Sequence, residues 1–136
     1  MCSGSSSGEL QTWGFMTGAV HLPIQGPTLP IYGLCASSDG RFLYAIRGKA
    51  IASYNLVTRT MSWSVALPAL WSMCICPEGR FLYVGSRRSG LACLDAATGQ
   101  KLLGGHSATV TALSVSPDGK TLCTGGFDGT VVLWDI

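Results

Sequence analysis

Near the end of the chain, three residue types occur that together could perform acyl-transfer chemistry. A base, a hydroxyl nucleophile and an orienting carboxylate are available in His106, Thr124 and Asp128. A catalytic triad is defined by its geometry in a cleft, which residue types alone do not establish. The same groups can instead form a hydrogen-bond chain with the indole of Trp134, because each needs a partner when buried. Only this structural interpretation gives Trp134 a role, so we favour it.

Elsewhere, residues capable of chemistry are sparse. The chain has two histidines and six cysteines, and most of its acidic residues fall in predicted turns. Cys74 and Cys76 are separated by one residue and lack the two-residue gap and second ligand pair of a zinc site. No Gly-rich phosphate loop and no Gly-x-Ser-x-Gly elbow occurs. We therefore predict a non-enzymatic protein with no metal or cofactor, reduced thiols and a cytoplasmic or nuclear location.

The composition favours short buried strands joined by tight turns. Charged residues make up 12% of the chain, about half of the usual ~25%. Hydrophobic residues make up 47%, and 18 of the 136 residues are glycine. This balance is not typical of a disordered chain or a helical bundle. The formal charge of +2 is too small to indicate nucleic-acid binding, and we predict none.

One turn occurs three times at a nearly constant spacing. Its copies are Asp39-Gly40-Arg41, Glu78-Gly79-Arg80 and Asp118-Gly119-Lys120. The three glycines are therefore 39 and 40 residues apart (79 minus 40, and 119 minus 79). Alternating, β-favouring residues between the turns supply about four strands per period, and a period near 40 is typical of a propeller blade. We predict an all-β fold.

The stretch 102–136 closely resembles one repeat of the WD-repeat family. It contains Gly105-His106, the turn at Pro117-Asp118-Gly119, a second turn at Asp128-Gly129 and a closing Trp134-Asp135. The resemblance implies a β-propeller of four-stranded antiparallel blades. It also implies a structural tetrad in which four side chains are linked by hydrogen bonds, namely His106, Thr124, Asp128 and Trp134.

By this resemblance, the chain divides into a tail and a propeller segment. Residues 1–8 are expected to be a flexible tail, because they are small and polar. Within 9–136, the stretch 9–24 is expected to supply the third and fourth strands of an incomplete repeat. Repeats follow at 32–67 and 70–104, and the repeat at 109–136 lacks its outer strand. The two middle repeats have no Gly-His pair, so their assignment rests on the period and the turns.

These repeats are too few to close a ring by themselves, since propellers have about four to eight blades. Open end blades would expose large apolar faces. We therefore expect the chain to be a fragment or subunit of a larger propeller or complex. A further hypothesis is that two copies exchange leading strands and form a ring of about six blades.

Members of the family mostly act as rigid platforms for proteins and peptides, so the resemblance implies a scaffold for protein–protein interactions. It also places Arg47, Lys49, Arg87 and Arg88 on one rim, where they could bind an acidic peptide or phosphate. The simpler interpretation is that these side chains are only solvated. An alternative function is phosphoinositide binding through Arg87 and Arg88, although Ser89 interrupts the Arg-Arg-Gly motif of propellers that bind such lipids.

Overall fold

The computed structural model describes residues 2–12, 24, 28–88, 90–104 and 109–136. Within these ranges every regular element is a β-strand, as predicted. The strands are β1 (Cys2–Gly4), β2 (Leu10–Thr12), β3 (Ile31–Ala36), β4 (Phe42–Arg47), β5 (Ala50–Asn55), β6 (Thr60–Ala66), β7 (Leu70–Ile75), β8 (Phe81–Ser86), β9 (Gly90–Asp95), β10 (Lys101–Gly104), β11 (Val110–Val115), β12 (Thr121–Gly126) and β13 (Val131–Asp135).

The strands form four antiparallel sheets. The leading sheet has two strands, β1 and β2, and the last sheet has three, β11 to β13. Between them lie two four-stranded sheets, the second sheet (β3 to β6) and the third sheet (β7 to β10), each with its strands in chain order. The predicted fold of four-stranded antiparallel blades is therefore confirmed for the part of the chain that the structure describes.

The repeated turn is held by local hydrogen bonds. In the first copy, Asp39 Oδ1 accepts from Ser37 Oγ at 2.5 Å and from the Arg41 amide at 3.0 Å. Asp118 Oδ1 makes the same pair of bonds, with Ser116 Oγ at 2.5 Å and the Lys120 amide at 3.1 Å. The glycine that follows has a positive φ of 68° to 74° in all three copies, a conformation that glycine adopts without strain (Gly40, Gly79 and Gly119).

Successive sheets stack face to face, with their first strands side by side. Strand β7 contacts both β3 and β11. One apolar cluster fills each gap between neighbouring sheets. Strand β4 shows why the chain has so few charged residues. Leu43 and Ala45 face the leading sheet, while Tyr44 and Ile46 face the third sheet. Both faces of an inner sheet are thus buried, which leaves little exposed strand surface for charged side chains.

The start of the chain differs from the prediction. Residues 2–4 are not a flexible tail but a strand that pairs with β2, with Gly4 opposite Leu10. Strand β1 contacts β3, just as β3 contacts β7, so β1 stands where the first strand of a sheet stands. Strand β2 is therefore the second strand of the leading sheet, whereas its residues were predicted to lie in a third strand. Small residues made this strand hard to recognise, yet Gly4 is needed because a Cβ there would collide with Ile31. The predicted strand at 18–23 lies outside the described residues.

All six cysteines are free thiols, which fits the expectation of reduced cysteines. Three of them lie on β3, β7 and β9, and burial raises the pKa of each thiol, to about 12 for Cys35 and Cys74. Burial likewise raises the pKa of the phenols of Tyr44 and Tyr83 to about 12. Over residues 2–12, 24, 28–88, 90–104 and 109–136, no helix is long and apolar enough to span a membrane.

These raised pKa values predict that alkali destabilises the fold. Unfolded thiols and phenols lose their protons near their ordinary pKa values of 9.0 and 10.0, whereas Cys35, Cys74, Tyr44 and Tyr83 keep theirs until about 12 in the folded chain. The folded state therefore binds more protons between these limits, and its stability falls as pH rises. We expect the melting temperature to decrease steadily above pH 9, and less steeply in a Cys35→Ala, Cys74→Ala variant. A flat profile would contradict this.

Candidate interaction site

Two of the four predicted tetrad residues are joined directly. Trp134 Nε1 donates to Thr124 Oγ1 at 3.0 Å, and Thr124 is only 2% exposed. Asp128 Oδ1 accepts from the amide and hydroxyl of Thr130, at 3.1 and 2.7 Å. His106 lies outside the described residues, so the complete tetrad stays a prediction. The buried Thr124 hydroxyl supports a structural role over that of a nucleophile.

The predicted basic rim is only partly at the surface. Lys49, Arg87 and Arg88 are exposed in the turns that follow β4 and β8. Arg47 is 2% exposed, and its Nη2 donates to the Gly8 carbonyl at 2.7 Å. The interpretation of Arg47 as a partner-binding rim residue is therefore wrong.

Arg47 is buried because it contacts a segment that lies 39 residues earlier in the chain. Its guanidinium lies 5.2 Å from the ring centroid of Tyr54, in the space between the second sheet and the segment that joins β1 to β2. A planar guanidinium can stack on an aromatic ring and also donate to a backbone carbonyl. Arg47 therefore fastens the start of the chain to the second sheet.

The exposed arginine Arg87 is also engaged within the chain. Its guanidinium lies 5.3 Å from the ring centroid of Trp71, which is 50% exposed. Its carbonyl accepts a hydrogen bond from Thr109 Oγ1 at 2.9 Å. A phosphate ligand at Arg87 would thus meet an arginine that already has an aromatic partner.

The opposite ends of the sheets carry a cavity that sequence reasoning missed. It has a volume of about 250 Å³ and lies between the second and third sheets. Its lining comes from three turns and from strand β4, namely Ser37, Ser38, Asp39, Phe42, Tyr44, Glu78, Gly79, Ala96 and Ala97. We refer to it as the rim cavity. No motif signalled it, because its residues come from two repeats.

The rim cavity has an acidic mouth and an aromatic wall. Hydrogen bonds from Ser37 and the Arg41 amide hold the pKa of Asp39 below its ordinary value. Asp95 is not in the lining but precedes the lining residues Ala96 and Ala97, and bonds from Thr98, through its amide and hydroxyl, and from the Ala97 amide lower its pKa in the same way. Both carboxylates are therefore ionised at neutral pH.

The aromatic wall is held rigidly. Tyr44 is 2% exposed, and its ring centroid lies 6.0 Å from that of Trp63. Trp63 Nε1 donates across the sheet interface to the Ala96 carbonyl at 3.1 Å. Among the described residues, no side chain or backbone group forms a hydrogen bond with the Tyr44 hydroxyl.

A second surface, the open face of the last sheet, is apolar and exposed. It carries Val131 and Leu133, which are 70% and 69% exposed. Strand pairing shows that Val131 occupies the position of Leu91 in the third sheet and of Ile51 in the second. Ile51 is 0% exposed because the third sheet covers it. The same kind of face is therefore buried inside the stack and bare at its end.

Across the described ranges, no group of three or more His, Cys, Asp or Glu side chains is placed to hold a metal ion.

Comparison with known proteins identifies one repeat directly. Residues 98–135 match the family model for the WD domain, G-beta repeat. The serine-threonine kinase receptor-associated protein of Homo sapiens is 31% identical over 99 residues, which cover 71% of this chain and 28% of that protein. The U3 small nucleolar RNA-associated protein 12 of Saccharomyces cerevisiae is 27% identical over 121 residues, which cover 84% of this chain and 12% of that protein.

A shorter match involves a protein named for an enzymatic activity. The NAD(+) hydrolase ApTIR of Actinoplanes sp. is 58% identical over 31 residues, which are 23% of this chain and 4% of that protein. The chain therefore spans between 4% and 28% of the lengths of these three relatives.

Proposed function

We propose, from the premise that this chain belongs to the WD-repeat family, that it is a non-enzymatic scaffold that binds other proteins. It acts as part of a larger propeller or complex, in a cytoplasmic or nuclear compartment where its free thiols stay reduced. Residues 98–135 match the WD domain, G-beta repeat, whereas the match to an NAD(+) hydrolase involves only 4% of that protein. The proposal therefore assigns no catalytic step to this chain.

The observation that carries this proposal is the open face of the last sheet. Inside the chain, each sheet interface is closed by a cluster of apolar side chains. Val131 and Leu133 repeat that chemistry, but no sheet in the described part of the chain covers them. Because burial of apolar area drives association, another sheet of the same kind is the expected partner. A longer form of the protein, a partner chain or a second copy would each provide one.

The phosphoinositide alternative has less support. Of the two arginines on which it rests, Arg87 already lies over the ring of Trp71. The exposed Lys49 and Arg88 remain as cations, and exposed cations of this kind are common on protein surfaces. We therefore place the interaction surface on the last sheet.

The proposal predicts that charges on the open face abolish partner binding. In a Val131→Glu, Leu133→Glu variant, proteins labelled by a proximity tag on the chain in its native cells should fall at least tenfold, because buried carboxylates would face an apolar partner. Val57→Glu is the control, since Val57 is 75% exposed in a turn outside this face. An unchanged set of labelled proteins in the double variant would refute the proposal.

The purified chain separates the possible sources of the covering sheet. If two copies cover each other, light scattering should give a dimer that becomes monomeric in the Val131→Glu, Leu133→Glu variant. A stable, soluble monomer of the unaltered chain would remove the two-copy hypothesis. The cellular result would then decide whether a partner chain is present.

A further inference from the structure

We infer that the rim cavity binds the cationic side chain, lysine or arginine, of a protein partner. The inference rests on the proposed function in so far as the partner is a protein. It concerns a site at the opposite ends of the strands from the basic rim, formed by the turns that follow β3, β7 and β9. Four properties of the cavity support it, namely its origin, its size, its charge and its aromatic wall.

The cavity exists because one residue in the repeated turn is smaller than its counterpart. At the interface between the third and last sheets, Pro77 closes on the next turn, and its Cδ lies 3.5 Å from where a Cβ of Gly119 would be. The equivalent pair one interface earlier is Ser38 and Gly79. No heavy atom lies within 4 Å of a Cβ built on Gly79. Serine in place of proline therefore leaves the gap open.

The size of the cavity selects a side chain rather than a whole small molecule. Its volume of about 250 Å³ is below the roughly 300–1,000 Å³ typical of pockets for drug-sized ligands. A long, narrow side chain fits such a space if it enters through the mouth of the cavity and its backbone stays outside. Lysine and arginine side chains have this shape.

The charge of the lining selects a cation. Asp39 and Glu78 belong to the lining, and none of the described residues that line the cavity is basic. Asp39 forms an ion pair with Arg41, whose Nε is 4.0 Å from Asp39 Oδ2, and both side chains are more than half exposed. Such an exposed pair contributes little and can be displaced. The basic residue that follows the second turn, Arg80, is not part of the lining, and its guanidinium lies over the ring of Phe81, 5.1 Å from the ring centroid.

The aromatic wall of the cavity provides further contacts for a cationic side chain. Phe42 and Tyr44 present aromatic surface to the cavity, which favours a cation through the negative face of the ring. The Tyr44 hydroxyl belongs to a side chain that is 98% buried (100 minus 2% exposed), lines the cavity and has no hydrogen-bond partner among the described residues. Because Tyr44 lines the cavity, its hydroxyl can accept a hydrogen bond from the N–H group of a lysine or arginine side chain that enters there.

The test uses the full chain and three capped tripeptides that differ only in the central residue, which is arginine, lysine or glutamine between glycines. We expect the arginine or lysine peptide to shift the amide resonances of Ala96 and Ala97, and the glutamine peptide to shift neither. The Asp39→Asn, Glu78→Gln variant should bind at least tenfold more weakly, about 1.4 kcal/mol per tenfold. Ser38→Pro should weaken binding similarly by closing the gap.

The chain offers a matched control in Asp118→Asn. Asp118 makes the same two turn hydrogen bonds as Asp39 but belongs to the last sheet. This variant reports the cost of altering the turn and should bind as the unaltered chain does. Equal weakening by Asp118→Asn and by Asp39→Asn, Glu78→Gln would overturn the inference, as would equal shifts with all three peptides. If the peptides fail while the open-face variant still loses its partners, the proposed function stands and only this site is wrong.

Discussion

Replacing Trp134 with alanine is expected to lower the free energy of unfolding by about 3 kcal/mol. The indole packs into the cluster between the third and last sheets, together with Tyr83 and Leu122. Its Nε1 donates to the buried Thr124 hydroxyl at 3.0 Å. Alanine therefore leaves a cavity and removes the donor to the Thr124 hydroxyl. Urea unfolding followed by circular dichroism at strand wavelengths measures the change.

Trp134→Phe separates the two contributions. The ring is largely retained while the N–H donor is removed, so the loss should be about 1 kcal/mol. Asp135→Ala is the control, since Asp135 is exposed beside Trp134 and its replacement should cost less than about 0.5 kcal/mol. If Trp134→Ala cost no more than Asp135→Ala, the cluster would not stabilise the last sheet.

Replacing Arg47 with alanine is expected to cost about 2–3 kcal/mol and to loosen the start of the chain. The Gly8 carbonyl would lose its donor, and the face of Tyr54 would lose the guanidinium packed on it. Because these contacts join the β1–β2 segment to the second sheet, the effect should be largest there. Hydrogen exchange of the Leu10–Thr12 amides should accelerate more than that of β8.

Lys49→Ala is the matched control for Arg47. It removes a positive charge two residues away from an exposed side chain, and we expect a change within about 0.5 kcal/mol. Arg47→Lys should recover only part of the loss, because an ammonium does not combine stacking with a directed fork of donors. Equal effects of Arg47→Ala and Lys49→Ala would mean that the burial of Arg47 does not stabilise the fold.

Local chemistry was predictable where the interacting residues are close in the chain. The repeated turn needs only a carboxylate, a nearby hydroxyl and a glycine within a few residues, and Asp39 and Asp118 show it in the same form. The pairing of Thr124 with Trp134 followed from the family resemblance, because hairpin register brings a residue of β12 next to one of β13. The fold of stacked antiparallel sheets was predictable for the same reason.

Long-range placement was not predictable in this way. Arg47 reads as a surface cation in a turn, but its partner Gly8 lies 39 residues earlier in the chain. The leading strand was missed because residues 2–4 carry no apolar alternation and are stabilised by the neighbouring sheet. The rim cavity was missed because Ser38 and Glu78 belong to different repeats.

By itself, the sequence determined the repeat, its turns and its strand pairing, since these depend on contacts within about 40 residues and on conformations that glycine and aspartate favour locally. Only the tertiary structure decided which faces are covered. Ile51 and Val131 occupy equivalent positions, yet one is 0% exposed and the other 70%. The difference arises because burial depends on the neighbouring sheet, and packing between sheets is a property of the whole stack rather than of any one repeat.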